Sequence, residues 1–175
     1  MADILQDKWM KGVAVTTTVL AVVASIGSSR AGYFVAKAQL LTALEGSKWA
    51  YYQSKSIKQN LAETQQVAFE ASVLGATSPE QKVFLDKKLK EYEANIIRYG
   101  QEKDVIKKEA EDTGKENVIV NRRGGQFSLS VVFAQIAIML SSVGALIKRR
   151  DMWITGLIIG CVAIFYLANG FLLFF

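Results

Sequence analysis

Residues 126–175 read QFSLSVVFAQIAIMLSSVGALIKRRDMWITGLIIGCVAIFYLANGFLLFF, and this stretch decides the fold. Its two long segments carry no charged residue, and only the tetrapeptide Lys148-Arg149-Arg150-Asp151 separates them. A helix needs roughly 20 apolar residues to cross the hydrocarbon core of a bilayer. We therefore predict transmembrane helices over 126–147 and 152–175. The short link forces these two helices into an antiparallel pair.

A third uncharged segment, residues 12–29, contains six Thr and Ser residues and is less apolar. One interpretation is a cleaved signal peptide with Lys8 and Lys11 as its basic start. The other is a retained transmembrane helix, whose hydroxyls bond to its own carbonyls or to neighbouring helices. We favour the retained helix and place it at 12–30, after an N-terminal segment of residues 1–11.

The chain sorts its charges as an integral membrane protein does. Of its 175 residues, 66 lie in the three uncharged segments, and the other 109 carry all 37 charged side chains. A bilayer excludes charge, whereas a soluble domain spreads it along its length. The chain has no His and one Cys, Cys161. A structural zinc site, a Cys–His or Ser–His catalytic pair and an intrachain disulfide are therefore excluded.

The charged middle of the chain, residues 31–123, is rich in Ala, Lys, Glu, Gln and Leu, which favour helices. Its strongest break contains Gly75, which suits a helix end, followed by Ser78 and Pro79, which suit a helix start. Arms of nearly equal length flank this break. We predict an antiparallel helical hairpin, a coiled coil with its turn at 75–79, between the first and second spans. The fold class is an all-α integral membrane protein with three transmembrane helices.

Both arms of the predicted hairpin carry rows spaced alternately by three and four residues, the pattern of a coiled coil. The return row runs Leu85, Leu89, Tyr92, Ile96, Tyr99, Lys103, Ile106, Ala110. The uncharged row of the outgoing arm runs Leu40, Ala43, Ser47, Ala50, Ser54, Ile57, Leu61, Thr64, Ala68, Ala71. The rows align at a constant index sum of 153, which pairs Ile57 with Ile96. Gly114 and Gly124-Gly125 are expected to interrupt the return arm.

Small and polar residues mark where the spans are expected to pack. Gly156 and Gly160 fit a close contact between helices, and so does the row Ala134, Ala137, Ser141. Gln135 and Asn169 are the strongest polar groups in the spans. They would contact either a pore or ligand, or another helix through a hydrogen bond, and we favour the second interpretation. No ionisable residue lies inside a span, although ion and proton pathways usually need one.

The segment Trp49-Ala-Tyr51-Tyr52 places three aromatic residues within four positions. Trp49 and Tyr52 share one side of a helix, and Tyr51 does not. One interpretation is a patch for a ligand or partner. The other is packing at the edge of the hairpin or between subunits, and we favour subunit packing.

Further aromatic residues flank the spans, as interfacial anchors do: Trp9, Tyr33, Phe34, Phe127, Trp153, Phe171, Phe174 and Phe175. Lys and Arg next to spans prefer the cytoplasm. Five such cations lie on the N-terminal side and four on the hairpin side. This narrow margin favours a cytoplasmic N-terminus and a periplasmic hairpin.

The stretch Trp49-Ala-Tyr-Tyr-Gln-Ser-Lys-Ser-Ile-Lys-Gln59 resembles the signature of a bacterial membrane-protein family, domain of unknown function 4337. The start of span two, Asn121-Arg-Arg-Gly-Gly-Gln-Phe-Ser-Leu129, and the basic turn before Trp153 resemble it too. The order of span, charged hairpin, span, basic turn and span covers nearly the whole chain. The resemblance implies a multi-pass protein of the bacterial inner membrane, and it implies no activity, ligand or catalytic residue.

These features favour a non-enzymatic oligomeric membrane scaffold or accessory protein without a cofactor. The alternative is an oligomeric channel or transport component, whose pore would be lined by Thr16, Thr17, Thr18, Ser25 and Ser29. A coiled coil that recognises a partner is a third possibility. The expected partners are the lipid bilayer, further copies of the chain and other membrane proteins. Nucleic acid is not expected, because the basic and acidic residues of the hairpin are interleaved.

Overall fold

The computed structural model describes residues 2–75 and 77–173, with side chains from Trp9 onward. The described residues form three α-helices: α1 (Ala2–Leu74), α2 (Pro79–Leu146) and α3 (Arg150–Leu172). The two long helices, α1 and α2, pack together, and the fold is all-helical. Each of the three helices contains a stretch long and apolar enough to cross a membrane. The predicted anchors Phe174 and Phe175 lie outside the described residues.

The chain reverses between α1 and α2, where the turn at 75–79 was predicted. The amide of Gly75 donates to the carbonyl of Ser72 at 3.2 Å as α1 ends. The amide of Lys82 donates to the carbonyl of Ser78 at 3.2 Å as α2 begins. The predicted interruption of the return arm is wrong, because α2 stays helical through Gly114, Gly124 and Gly125. Contacts of the neighbouring turns offset a propensity cost of about 1 kcal/mol per glycine.

Close contacts divide the chain into two compact units. The three-helix unit comprises Met1–Gln39 and Asn117–Phe175, and the hairpin unit comprises Leu40–Glu116. The hairpin unit is therefore shorter than the segment 31–123 that the sequence indicated. The difference arises because apolar side chains beyond the predicted spans are buried in the three-helix unit. Ala38 and Val120, for example, are only 6% and 4% exposed.

Most residues of the buried face of α2 in the three-helix unit are small, and Phe127 is its largest side chain. This face is spaced by three or four residues and consists of Val120, Gly124, Phe127, Ser130, Ala134, Ala137, Ser141 and Gly144, all buried. The predicted row Ala134, Ala137, Ser141 lies at its centre, and all three residues have no exposed surface. Side chains of this size let helix backbones approach closely.

The contact face of α1 continues into the hairpin unit with the same three-and-four spacing. We call this set the seam row: Leu41, Glu45, Lys48, Tyr52, Lys55, Gln59, Ala62, Gln66, Phe69 and Val73, none of which is exposed. The return row on α2 is confirmed as the facing surface, because none of its members is exposed either.

The prediction that the uncharged row of α1 contacts α2 is wrong. Its apolar members Leu40, Ile57 and Leu61 are 60%, 67% and 56% exposed. The seam row lies one or two residues further along α1. Long side chains such as Lys55 cover the return arm with their aliphatic stems, and they bury more apolar surface there than Ala or Ser could.

The register of the hairpin also differs from the predicted index sum of 153. The ion pairs Lys55–Glu102 and Lys48–Glu109 both have an index sum of 157, and the ring contact Phe69–Tyr92 has a sum of 161. Ile57, predicted to face Ile96, lies outside the seam row. Other contacts across the seam have index sums from 154 for Lys55 and Tyr99 to 162 for Gln59 and Lys103, all above the predicted value. The arms are therefore displaced from the predicted alignment by several residues.

Candidate functional site

Lysines of α1 reach across the seam of the hairpin unit to carboxylates of α2. Lys55 forms an ion pair with Glu102, with 2.5 Å between Nζ and Oε2. One heptad earlier, Lys48 Nζ lies 3.6 Å from Glu109 Oε2 and donates to Thr113 Oγ1 at 3.0 Å. The two lysines therefore repeat the same type of contact two helical turns apart.

Lys103 makes the reciprocal contact from α2 to α1. Its amine donates to Gln59 Oε1 at 3.1 Å and to Ser56 Oγ at 3.3 Å. It also lies 5.3 Å from the ring centre of Tyr52. The single charged residue of the return row is therefore held between the arms by polar groups and an aromatic face.

Two tyrosine rings flank the amine of Lys55. Its Nζ lies 5.2 Å from the ring centre of Tyr51 and 5.5 Å from that of Tyr99. Arg98 lies 5.1 Å from the same Tyr99 ring. The attraction of a cation to an aromatic face adds to the ion pair with Glu102. The four side chains around Lys55 thus form an aromatic and ionic cluster across the seam.

The ion pair at the centre of this cluster keeps both of its groups charged. The hydrogen bond from Lys55 lowers the pKa of the Glu102 carboxyl, and the same bond raises the pKa of Lys55. A lysine acts as a nucleophile or general base when its pKa is lowered. The shift runs in the opposite direction here, and the charged pair attracts the two helices to each other.

The structure brings only two of the three predicted aromatic contact residues together. Trp49 and Tyr52 pack edge to face, with 5.6 Å between ring centres and 76° between planes, and both are half-buried. Tyr51 is 52% exposed and lines a shallow groove with neighbouring residues of α2. Tyr52 therefore belongs to the seam, and Tyr51 is the member most available to a partner.

Sequence reasoning missed Lys48, Lys55 and Glu102 because it searched for a stripe without charges. The signal was present as a seven-residue spacing, which relates Lys48 to Lys55 and Tyr52 to Gln59. This spacing continues the heptad positions of the apolar contact face of α1.

The predicted packing glycines lie at contacts between helices of the three-helix unit. A Cβ atom built on Gly156 would lie 2.5 Å from Ser141 Oγ of α2. A Cβ atom built on Gly160 would lie 2.9 Å from Leu20 Cδ2 of α1. The helix α3 therefore places Gly156 against α2 and Gly160 against α1.

The two predicted polar residues of the spans lie in different places. Asn169 is completely buried on α3. Gln135 is exposed on α2 and is not part of the buried face, which runs through Ala134 and Ala137. One residue turns an α-helix by about 100°, so Gln135 points away from that face. A buried hydrogen bond that the sequence did not indicate joins Ser130 Oγ to the carbonyl of Ala163 at 2.8 Å.

The threonine hydroxyls near the start of α1 bond within their own helix. Thr16, Thr17 and Thr18 donate to carbonyl oxygens three or four residues earlier, at 2.8–3.0 Å. Thr16 Oγ1 also accepts a hydrogen bond at 3.1 Å from the indole nitrogen of Trp153 on α3. These hydroxyls therefore have hydrogen-bond partners within the protein and do not need water from a pore.

Aromatic clusters lie near both ends of the span helices. Trp9 and Trp153 form one, with 6.2 Å between ring centres. Phe34, Phe127 and Phe171 form the other, which we call the phenylalanine cluster, with 5.5 Å and 5.0 Å between successive centres. Trp9 and Phe34 are separated by about 37 Å of helix at 1.5 Å per residue. This distance approaches the thickness of a bilayer with its interfaces.

Within the part of the chain that the structure describes, no group of three or more Cys, Asp or Glu side chains could hold a metal ion. Cys161 is exposed on α3.

Comparison with known proteins adds a family and no activity. No curated protein and no solved structure matches the chain. Residues 9–173 match a single family description across all three helices, which confirms the resemblance seen in the sequence. The chain therefore belongs to the family described as Domain of unknown function (DUF4337).

Proposed function

We propose that this protein is a non-enzymatic, oligomeric scaffold of the bacterial inner membrane. The observation that carries membrane anchoring is the apolar outer surface of the three-helix unit. On α1 this surface is the row Val15, Val19, Val22, Ile26, with exposures of 64%, 51%, 54% and 43%. On α3 it includes Ile154, Ile158 and Phe165, which are 44%, 63% and 52% exposed. Lipid covers such a surface without the free-energy cost that water imposes.

The exposed uncharged row of α1 supports oligomerisation of the hairpin unit. Two of its hydroxyls are already satisfied, since Ser54 donates to the carbonyl of Tyr51 and Thr64 to that of Asn60, both at 2.8 Å. Copies inserted in one membrane stand parallel and at the same depth. Each residue of the row therefore faces the same residue of a second copy across a symmetry axis. A charged residue in the row would therefore face the same charge on the second copy, and the row contains no charged residue.

The native mass of the purified protein in mild detergent tests this contact. Wild-type protein is expected to be larger than a monomer, and the double substitution Ile57→Lys with Leu61→Lys is expected to lower the mass by placing like charges opposite each other. Val83→Lys is the matched control, because Val83 is 71% exposed on α2 and lies off the row. An unchanged mass for the double variant, at unchanged helix content, would show that the contact lies elsewhere.

A measurement of ion flux into liposomes that contain the protein distinguishes the scaffold hypothesis from the channel hypothesis. The internal hydrogen bonds of Thr16, Thr17 and Thr18 support the scaffold, because hydroxyls of a wet pore would face water. We expect no flux above that of empty liposomes. Reproducible flux that depends on the protein would contradict a scaffold without transport.

The proposed topology places the N-terminus in the cytoplasm and the hairpin in the periplasm. A Thr77→Cys variant in a Cys161→Ala background puts one thiol at the turn between α1 and α2. An impermeant thiol probe is expected to label intact cells stripped of their outer membrane. Labelling only after the inner membrane is opened would place the hairpin in the cytoplasm.

A further inference from the structure

The end of the three-helix unit at the phenylalanine cluster carries three arginine residues. Arg30 of α1 lies 5.5 Å over the ring of Phe171, and Arg122 and Arg123 lie on α2 shortly before Phe127. From Gly12 to Gln39, and from Asn117 to Arg150, the sequence of this unit contains no Asp or Glu. No side chain within these two segments can therefore neutralise the guanidinium groups.

Two buried polar atoms next to the phenylalanine cluster have no hydrogen-bond partner. They are Arg123 Nε, which is a donor, and Gln126 Oε1, which is an acceptor. The two residues are three positions apart and therefore lie on the same side of α2. A buried polar atom without a partner costs free energy, and more so when its group is charged. A ligand that offers an acceptor to Arg123 and a donor to Gln126 would remove both costs.

The surroundings of these atoms select a lipid over a soluble anion. Phe171 and Leu172 are 47% and 63% exposed at this end of α3, and Leu129 and Val132 are 41% and 49% exposed further along α2. Acyl chains fit beside such side chains, and a headgroup at the interface would then lie level with the guanidinium groups. Guanidinium groups bind phosphate oxygens by short, charge-assisted hydrogen bonds.

We propose that Arg123 and Gln126, whose side chains are both half-exposed, bind the headgroup of an anionic glycerophospholipid that carries a hydroxyl group, with the phosphate at the Arg123 guanidinium and the hydroxyl at the Gln126 amide. This inference rests on the proposed insertion in a membrane. Arg30 contributes long-range attraction from α1, and the exposed phenylalanine and leucine side chains contact the acyl chains.

Native mass spectrometry of the full-length protein with added lipids tests the site. Phosphatidylglycerol is expected to bind at least about tenfold more tightly than phosphatidylcholine, as one charge-assisted hydrogen bond allows. Arg123→Gln should abolish this preference. Arg122→Gln is the matched control, because it removes the same charge from an exposed neighbour and should change binding by less than about threefold. Equal losses in the two variants would contradict a specific site at Arg123.

The hydroxyl contact has its own comparison. Phosphatidylmethanol has the same charge as phosphatidylglycerol and no headgroup hydroxyl. Wild-type protein should bind it about threefold or more weakly, as the loss of one neutral hydrogen bond predicts, and Gln126→Leu should remove the difference. An equal affinity of wild-type protein for both lipids would overturn the role of Gln126.

Two further measurements distinguish a lipid site from a site for free anions, and failure of the lipid site from failure of the membrane anchor. Inorganic phosphate should not raise the thermal midpoint of the detergent-solubilised protein, whereas phosphatidylglycerol should, and an equal rise would show a site for free anions. Insertion into liposomes of phosphatidylcholine alone tests the membrane anchor without the headgroup. Insertion without a preference for phosphatidylglycerol overturns the lipid site and leaves the proposed function intact.

Discussion

Glycine sets the distance between helices in the three-helix unit. A Cβ atom on Gly27 would lie 2.9 Å from Val131 Cγ2, and one on Gly170 would lie 2.9 Å from the ring of Phe127. Real side-chain atoms do not approach that closely, so a methyl group at either position would push two helices apart. Gly27 and Gly170 therefore act through packing, since neither has a positive φ.

Replacement of Gly156 by alanine tests this role. Gly156→Ala places a methyl group 2.5 Å from Ser141 Oγ and 2.9 Å from the backbone carbonyl oxygen of Ala137, which cannot rotate away. We expect a loss of about 1–3 kcal/mol in the free energy of unfolding, the usual cost of overpacking. Denaturant titration in micelles measures it. Gly32→Ala is the control, because nothing lies within 4 Å of its Cβ position, and it should be neutral or stabilising.

The Lys55–Glu102 pair makes the stability of the hairpin unit depend on pH. The pKa of Glu102 is lowered in the folded state, so its contribution is present above the ordinary value of 4.5 and is lost as the pH falls through the lowered pKa. The thermal midpoint of the hairpin helices should therefore fall in acid, and Glu102→Gln should make this fall smaller. Glu93→Gln, at an exposed position of α2, is the control. An identical acid profile for wild type and Glu102→Gln would contradict this assignment.

At the scale of the helix, the contact face of α1 keeps one spacing while its chemistry changes. Its buried members between residues 13 and 38 are all small or apolar: Val13, Leu20, Gly27 and Ala38. The seam row that follows is dominated by Lys, Glu, Gln and aromatic residues. A contact face with heptad spacing needs side chains that reach the partner helix. In water, long polar side chains can do so, because their aliphatic stems pack against that helix. Continuity of spacing is therefore a better guide to this seam than hydrophobicity.

A glycine of the hairpin unit should respond to substitution in the opposite way to Gly156. A Cβ atom on Gly114 would lie 2.9 Å from Glu45 Oε1, which is the movable end of a flexible side chain. Gly114→Ala should therefore stabilise α2 by about 0.5–1 kcal/mol through helix propensity. Gly100→Ala, with nothing within 4 Å, should give the same gain, measured by thermal unfolding. A loss at Gly114 alone would mean that the Glu45 carboxylate is fixed in place.

At the scale of the whole molecule, the two units differ in the chemistry of their exposed residues. The spans of the three-helix unit present exposed Val, Ile, Leu and Phe, whereas most charged residues of the chain lie in the hairpin unit. The same kind of substitution should therefore have different effects in the two units.

A lysine at the middle of the first span tests the membrane anchor. Val22 is 54% exposed on α1, and Val22→Lys should cost about 2.5–3.5 kcal/mol of insertion free energy. The fraction that remains in membranes after alkaline extraction should fall. Val67→Lys is the control, since Val67 is 66% exposed in the hairpin unit and its substitution should leave the fraction unchanged. Equal retention of both variants would argue against a bilayer around this part of α1.

The sequence by itself determined the helical fold, the turn before Pro79 and the family. Uncharged length identifies a helix that can cross a membrane, and Gly75 with Pro79 identifies a reversal, because both signals are local and depend on backbone chemistry. The return row was also readable, since its residues are large and apolar. The small residues Ala134, Ala137 and Ser141 were readable because close helix contacts need small side chains.

Only the tertiary structure decided which residues of α1 face α2 and at what register. Leu61 and Lys55 are both able to lie against a helix, and the choice depends on the summed contacts of ten or more side chains along both arms. The burial of Asn169 and the exposure of Gln135 follow likewise from the orientation of each helix against its neighbours. A spacing pattern fixes the period of a contact face, whereas its angular position is fixed by packing, where one residue along the chain turns the face by about 100°.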